Sequence, residues 1–132
     1  MLDVVLKKWN SSAAVHLTGA CDDNYQINDL AYDVQKGNCD LFHIYEGAAH
    51  VGSMVLRVEG TAGAGRELVV VALGGRATSG ALIQCLTDFW DKLAKQNNAK
   101  SIRAHVSKEG MVRLMERAGG SLSEYVFRKK VV

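Results

Sequence analysis

The amino-acid sequence predicts a mixed α/β fold in which helices flank a central sheet. A continuous apolar run over residues 68–73 leads into a glycine-containing turn and an amphipathic helix. Two segments rich in β-branched and aromatic residues precede this run, and an alternating segment over residues 101–106 follows the helix. A short run that is apolar throughout is typical of a strand covered on both faces. The sequence therefore predicts a buried strand, a hairpin before it and a helical crossover after it.

Length and composition predict a single domain over residues 1–132. Hydrophobic residues make up 48% of the chain, enough for a core of its own. No apolar segment reaches membrane-spanning length, and Lys7 and Lys8 follow the first apolar residues, the reverse of a secretory signal. We expect a cytoplasmic protein without a membrane partner. The odd number of cysteines argues against a disulfide framework and predicts buried thiols at Cys21, Cys39 and Cys85.

Positive charge is concentrated in the last third of the chain. Residues 100–132 carry eight Lys or Arg against three Glu, although the whole chain has a formal net charge of only +2. Aromatic residues are not interleaved with these charges at a base-stacking spacing. The pattern is typical of solvated helix faces, and we expect no nucleic-acid partner.

The first half of the chain predicts a strand, two helices and a hairpin. Residues 2–7 form the strand, with Ser11 and Ser12 as candidate caps of the first helix. Apolar residues at helical spacing predict the second helix over residues 27–34, ending near Gly37. The segments at 41–45 and 51–58 then pair antiparallel across a connection at 46–50.

The second half predicts a helix from Gly80 to Asn97 and a strand over residues 101–106. Strand, helix and strand in this order form a right-handed parallel crossover. A further helix over residues 111–118 and a last strand over residues 122–131 complete the predicted order.

The glycines between residues 74 and 80 predict a turn that approaches an anion. Glycine lets backbone amides come close to a phosphate, and the start of the next helix adds partial positive charge. A phosphorylated ligand or cofactor fits this pattern. An ordinary strand-to-helix turn fits it equally well.

The order of elements resembles the GNAT superfamily of N-acetyltransferases over essentially the whole chain. Residues 42–47 and 51–55 resemble the family hairpin written I-x-x-G-x-x-V-G, residues 113–119 resemble its L-Y-E-K-x-G-F helix end, and residues 125–129 resemble its closing strand. The resemblance implies a mixed, mostly antiparallel central sheet flanked by helices.

The resemblance also implies acetyl-CoA as co-substrate; the spacing of the histidines separately predicts no metal. In the family the fourth strand holds the pantetheine arm through its backbone, and a Q/R-x-x-G-x-G/A loop holds the pyrophosphate. Ser79 stands where that loop has glycine, and Lys108 stands where many relatives have a cofactor-binding asparagine. The implied cofactor-binding residues are Val71, Ala72, Leu73, Arg76, Ala77, Thr78, Ser79, Gly80, Ala81 and Lys108.

Two catalytic residues follow from the same resemblance. Glu67 matches the basic glutamate of the histone-acetyltransferase branch; alternatively, it is a solvated carboxylate beside Arg66. Met115 occupies the place of the tyrosine that usually serves as the acid in the family. Tyr125 is then the candidate acid; alternatively, it is a half-buried tyrosine of the sheet.

The remaining polar candidates predict structural roles. His16, His43, His50 and His105 lack the spacing of metal ligands, so we expect satisfied or surface histidines. Cysteines in apolar helical surroundings predict structural thiols rather than nucleophiles. Trp9 and Trp90 predict packing or subunit contacts.

Two functional hypotheses remain open. The first is an N-acetyltransferase that passes acetyl directly to an unidentified amine of a small molecule or protein. The second is a catalytically inactive GNAT-fold interaction or structural module, of the compact and degenerate kind that phages encode. Met115 and Ser79 favour the second. The closing strand also offers an edge for a homodimer.

Overall fold

The computed structural model describes residues 2–18, 26–60, 65–75 and 80–104. They form eight elements: β1 (Leu2–Lys7), α1 (Ser11–Leu17), α2 (Ile27–Gln35), β2 (Asp40–Glu46), β3 (Ala49–Glu59), β4 (Glu67–Gly75), α3 (Gly80–Gln96) and β5 (Ser101–Ala104). The predicted helix at residues 111–118 and the predicted strand at 122–131 lie outside the described residues. The order of the described elements confirms the prediction.

The five described strands form one sheet in the order β1-β2-β3-β4-β5. The first three pairings are antiparallel, and β4 pairs with β5 in parallel. The predicted hairpin and parallel crossover are therefore confirmed. The hairpin is tighter than predicted because β2 and β3 extend to Glu46 and Ala49, which leaves only Gly47 and Ala48 in the turn. Gly47 has a φ of +63°, in the left-handed region that suits glycine.

Each face of the sheet carries its own hydrophobic core. Helix α3 packs on one face through Leu86, Trp90 and Ala94, against residues of β2, β3 and β4 such as Met54 and Val70. Trp90 is buried, and its indole N–H points to the Met54 sulfur at 3.4 Å. The predicted packing role of Trp90 is confirmed, and β4 is covered on both faces, as its apolar run predicted.

Helices α1 and α2 pack on the other face. Ala13, Leu17 and Leu30 contact strand residues including Val55 and Ala72. Trp9 also packs against this second core, as predicted.

Asn10, and not Ser11 or Ser12, caps α1. Its backbone is extended, and its side-chain oxygen accepts the Ala13 N–H at 3.1 Å. Ser11 and Ser12 lie inside the first turn, where they have helical geometry and cannot serve as the cap residue.

The cysteines correct a second prediction. Cys39 is buried, and burial raises the pKa of its thiol. Cys85 is exposed, because it lies on the solvent side of α3 while its neighbour Leu86 points into the core. Cys21 lies outside the described residues. None of the described helices combines the length and apolar character needed to span a membrane.

Candidate functional site

A β-bulge divides β4 at Val71. The pairing with β3 passes from Leu56–Val70 to Val55–Ala72, so Val71 is an extra residue on the β4 side. A bulge bends its strand and interrupts the regular ladder. The pairing of β4 with β5 is described from Glu67–Ser101 to Val70–Ala104, whereas β4 itself continues to Gly75. The direction of β4 therefore changes at the residue after its last described pairing with β5.

Two glycines at the end of β4 let α1 and β3 approach closely. A side chain at Gly74 would overlap the backbone carbonyl of His16, at the end of α1. A Cβ at Gly75, which has a φ of +90°, would lie 2.6 Å from the Val51 carbonyl oxygen and 3.1 Å from the His16 ring. Because Gly74 and Gly75 have no side chains, the end of α1 packs directly against β4.

The Glu67 side chain lies at the start of β4 within a charged group. Its carboxylate accepts a hydrogen bond from the Ser101 hydroxyl at 2.9 Å and lies 3.3 Å from the Arg103 guanidinium. Arg103 also pairs with Glu59 at 2.6 Å. Arg66 donates instead to the Asn97 carbonyl at 2.9 Å. Glu67 is therefore held by β5 and not by its neighbour in sequence.

Three histidines converge on one buried hydroxyl, that of Ser53. His43 Nδ1 lies 2.9 Å from Ser53 Oγ, His50 Nε2 lies 3.1 Å away, and His16 Nδ1 lies 3.3 Å away. The His50 ring centroid is 4.0 Å from that of His43 and 4.3 Å from that of His16. We call Ser53 and these three imidazoles the histidine cluster. His43 and Ser53 are buried, whereas His16 and His50 are partly exposed.

Asn10 determines which nitrogen of His43 carries the proton. The Asn10 side-chain oxygen accepts the Ala13 N–H, so its amide nitrogen is the group that faces the Lys8 carbonyl and His43 Nε2. Because that nitrogen can only donate, His43 Nε2 accepts at 3.1 Å and His43 Nδ1 donates to Ser53.

The Ser53 oxygen is saturated by its three partners. It accepts from His43 and has one proton to give, so it donates to one of His16 and His50 and accepts from the other. Among the described residues no group of three potential ligands could hold a metal ion.

Burial, followed by the nearby His50, Lys7 and His16, lowers the pKa of His43 to about 4. The pKa of His16 is lowered by burial and by His50. Taking a charge out of water costs free energy, and neighbouring cations add to that cost. His43 is therefore neutral at pH 7.

The sequence did not reveal this cluster, because three different elements supply it. His43 and Ser53 are direct cross-strand partners in β2 and β3. His50 reaches the same face only because the pairing passes from Ile44–Gly52 to Tyr45–His50, which makes Val51 an extra residue of β3. His16 arrives on α1. The predicted hairpin already paired His43 with Ser53 across its strands, and this was the one sequence signal that pointed to the cluster.

No protein-family model and no curated protein sequence matches the chain, but solved structures match it in fold. An acetyltransferase of Bacillus subtilis in complex with CoA aligns with a TM-score of 0.68 and 18% identity, over 90% of this chain and 76% of that one. Ribosomal-protein-alanine N-acetyltransferase from Brucella melitensis biovar Abortus 2308 aligns at 0.66 and 15% identity, over 98% and 100%. Glucosamine-6-phosphate N-acetyltransferase from Arabidopsis thaliana aligns at 0.63 and 11%, over 98% of both chains.

The chain has a GNAT-like fold. Its described part, a five-stranded mixed sheet with helices on both faces, agrees with the predicted fold class.

Within the GNAT-like fold, the structure describes some of the predicted cofactor-binding residues. Val71, Ala72 and Leu73 lie on β4 from the bulge onward, and Gly80 and Ala81 begin α3. Five predicted site residues and the candidate acid lie outside the described residues: Arg76, Ala77, Thr78, Ser79, Lys108 and Tyr125. Glu67 lies four residues before the bulge, and its role stays a prediction.

Proposed function

We propose that the chain is an N-acetyltransferase that transfers acetyl from acetyl-CoA directly to an amine, without a covalent enzyme intermediate. The observation that carries the proposal is the form of β4, which bulges at Val71 and continues past its described pairing with β5 into a glycine pair and helix α3. The B. subtilis acetyltransferase and an aminoglycoside N-acetyltransferase, both structures in complex with CoA, share this fold.

The backbone of residues 71–73 offers hydrogen-bonding groups to the pantetheine arm. Val71 and Leu73 are partly exposed, so this stretch is accessible from solvent. Residues 76–79, which the sequence predicts as a turn, and the start of α3 at Gly80 and Ala81 follow in the chain, and a helix start favours an anion such as the pyrophosphate. Arg76 and Lys108 add positive charge for the phosphates.

When bound, acetyl-CoA supplies an acetyl group activated as a thioester. For the amine to react, it must lose a proton, and the CoA sulfur must gain one on leaving. Glu67 is the proposed base and Tyr125 the proposed acid. Holding both reactants in place supplies much of the remaining rate gain.

Acetyl-CoA is expected to bind in the micromolar range, roughly the range in which enzymes hold their substrates. Arg76→Ala should weaken that binding about tenfold or more, because a charge-assisted hydrogen bond to phosphate is lost. Calorimetric titration with acetyl-CoA and with free CoA measures both. Lys95→Ala, which removes the same charge in the last turn of α3, is the matched control and should leave binding unchanged.

No acetyl-CoA binding at millimolar concentration would favour the second hypothesis, an inactive interaction or structural module. Met115 and Ser79 are the residues that support it. A stable complex with another protein would then define the function.

Glu67→Gln is expected to lower turnover about 100-fold while leaving acetyl-CoA binding within twofold, because the amide is nearly isosteric but cannot take a proton. Release of the CoA thiol is followed with an acceptor panel taken from the names of the structural neighbours: glucosamine 6-phosphate, an aminoglycoside and a peptide beginning with alanine.

Glu59→Gln serves as the control, because Glu59 shares the Arg103 ion pair with Glu67 but lies on β3. An unchanged turnover in Glu67→Gln would remove Glu67 as the base and leave its pairing with Ser101 and Arg103 as its role.

A further inference from the structure

The histidine cluster connects the end of β4 with the β2–β3 hairpin. The His16 ring lies against Gly75, at the end of β4, whereas His50 lies beside Tyr45 near the hairpin turn, with ring centroids 5.2 Å apart. The hydroxyl of buried Ser53 lies within hydrogen-bonding distance of both imidazoles, and Ser53 pairs with Gly74 across the β3–β4 ladder. Both rings are partly exposed, so each end of this chain of groups reaches solvent.

The inner nitrogens of both rings point at the same hydroxyl, which leaves the outer nitrogens, His16 Nε2 and His50 Nδ1, to face away from it. Neither outer nitrogen bonds another residue within the described part of the chain. The cluster thus has two groups that can exchange protons with their surroundings, joined through one shared oxygen.

We propose that His16, Ser53 and His50 form a proton relay that carries the proton released by the acceptor amine away from the proposed acetyl-CoA site at residues 71–73 of β4. This inference rests on the proposed acetyl transfer and assigns the amine proton to His16 in place of Glu67, while Tyr125 stays the proposed acid. A loss of turnover of about 100-fold in Glu67→Gln with none in Ser53→Ala would keep Glu67 as the base and overturn the relay.

Each step of the relay conserves protons. His16 Nε2 takes the proton of the ammonium group, and His16 Nδ1 gives its own proton to Ser53 Oγ. Ser53 passes its hydroxyl proton to His50 Nε2, and His50 Nδ1 releases one to solvent. After the transfer both imidazoles are neutral, and each is in its other tautomer. Ring rotation or proton exchange with water then restores the starting tautomers. In the overall reaction the nitrogen–carbonyl bond forms as the carbon–sulfur bond breaks, one ammonium proton enters the relay and a second ends on the CoA sulfur.

His43 and Asn10 position the relay. Asn10 holds the His43 proton on Nδ1, and that N–H occupies one lone pair of Ser53 Oγ. The hydroxyl proton is thereby directed to His16 or His50 and not to His43. The buried, neutral His43 is a fixed donor in this arrangement, and Lys7 is the charged residue of β1 that faces it.

The relay is close enough along β4 to the proposed acetyl-CoA site for water molecules to connect the two. The Ser53–Gly74 pair is two residues beyond Val55–Ala72. At about 3.4 Å per residue, this separation is about 7 Å, which one or two water molecules can bridge.

The test compares wild type with Ser53→Ala, His50→Gln and a control, Thr87→Ala, which removes a hydroxyl from α3 on the opposite face of the sheet. With acetyl-CoA and the same acceptor panel, Ser53→Ala and His50→Gln should lower kcat/KM about 100-fold at pH 7. Calorimetry should show acetyl-CoA binding within twofold of wild type. Thr87→Ala should retain wild-type turnover.

The pH profile separates a relay from a structural role. Near pH 10 much of the amine is already neutral and needs no base, so the deficit of Ser53→Ala should shrink towards zero. A deficit of the same size at pH 7 and pH 10 would mean that Ser53 only holds the structure together, and would overturn the relay.

A second measurement does not depend on turnover. Imidazole ¹⁵N spectra should show the His43 proton on Nδ1, both with and without acetyl-CoA. A proton on Nε2 would overturn the hydrogen-bond order. If wild type acetylates a member of the panel and Ser53→Ala does so equally well, the relay is wrong and acetyl transfer stands. If wild type binds no acetyl-CoA, both proposals fail.

Discussion

Replacing Gly74 with alanine is expected to cost more than about 3 kcal/mol of folding free energy, well above the usual effect of one added methyl group. The new Cβ would overlap the His16 carbonyl oxygen and lie 2.8 Å from the His16 carbonyl carbon. Both are backbone atoms at the end of α1, so no side-chain rotation can relieve the overlap. Helix α1 has to lift from β4, which separates His16 from Ser53 and weakens the second core.

Urea unfolding followed by Trp fluorescence measures this effect, since Trp90 is buried in the core. Gly47→Ala is the matched control: Gly47 also has no side chain and has a positive φ of 63°, but an added Cβ there meets nothing within 4 Å. It should cost about 1 kcal/mol, from backbone strain alone. Equal losses in the two variants would show that α1 does not depend on the close approach at Gly74.

Acidification is expected to destabilise the protein between pH 6.5 and pH 4 by about 3 kcal/mol through His43. The pKa of His43 falls from 6.5 to about 4 on folding. Between these values the unfolded chain holds a proton on His43 that the folded chain does not, so the free energy of unfolding decreases as the pH decreases. Above pH 6.5 both states are neutral, and below pH 4 both are protonated, so the effect is confined to this window.

Urea unfolding at a series of pH values from 7.5 to 4 tests the prediction. His43→Gln should be less stable than wild type at pH 7.5, because Asn10 and Ser53 lose their partner, but its stability should depend less on pH. His16→Gln retains His43 and should retain most of the slope. Parallel curves for wild type and His43→Gln would contradict the assignment.

Local patterns in the sequence predicted the elements of the fold. The apolar run of β4, the amphipathic stripe of α3 and the alternation in β5 depend only on which faces are buried, and their parallel arrangement follows from the length of the crossover. The prediction of the α1 cap was wrong because adjacent residues offer competing cap signals. At the start of α1, Asn10 and the two serines after it are all good caps, and only the backbone geometry selects Asn10.

The resemblance to the GNAT superfamily, and not a local pattern, implied Val71, Ala72 and Leu73 as cofactor-binding residues. The structure puts them on β4 at and beyond a bulge, and their role stays a prediction. That the Glu67 side chain pairs with Arg103 could not be read from the sequence, because 36 positions separate the two along the chain, from residue 67 to 103, and the parallel pairing of β4 with β5 joins them.

The sequence by itself determined the order and type of the described elements, because hydrophobic periodicity reports burial residue by residue. Only the tertiary structure decided that three dispersed histidines share one serine. Strand register places His43 opposite Ser53, a one-residue bulge at Val51 turns His50 to the same face, and two glycines let α1 bring His16 against β4. Register, bulges and close backbone approach arise from pairing between distant segments, so no local pattern encodes them.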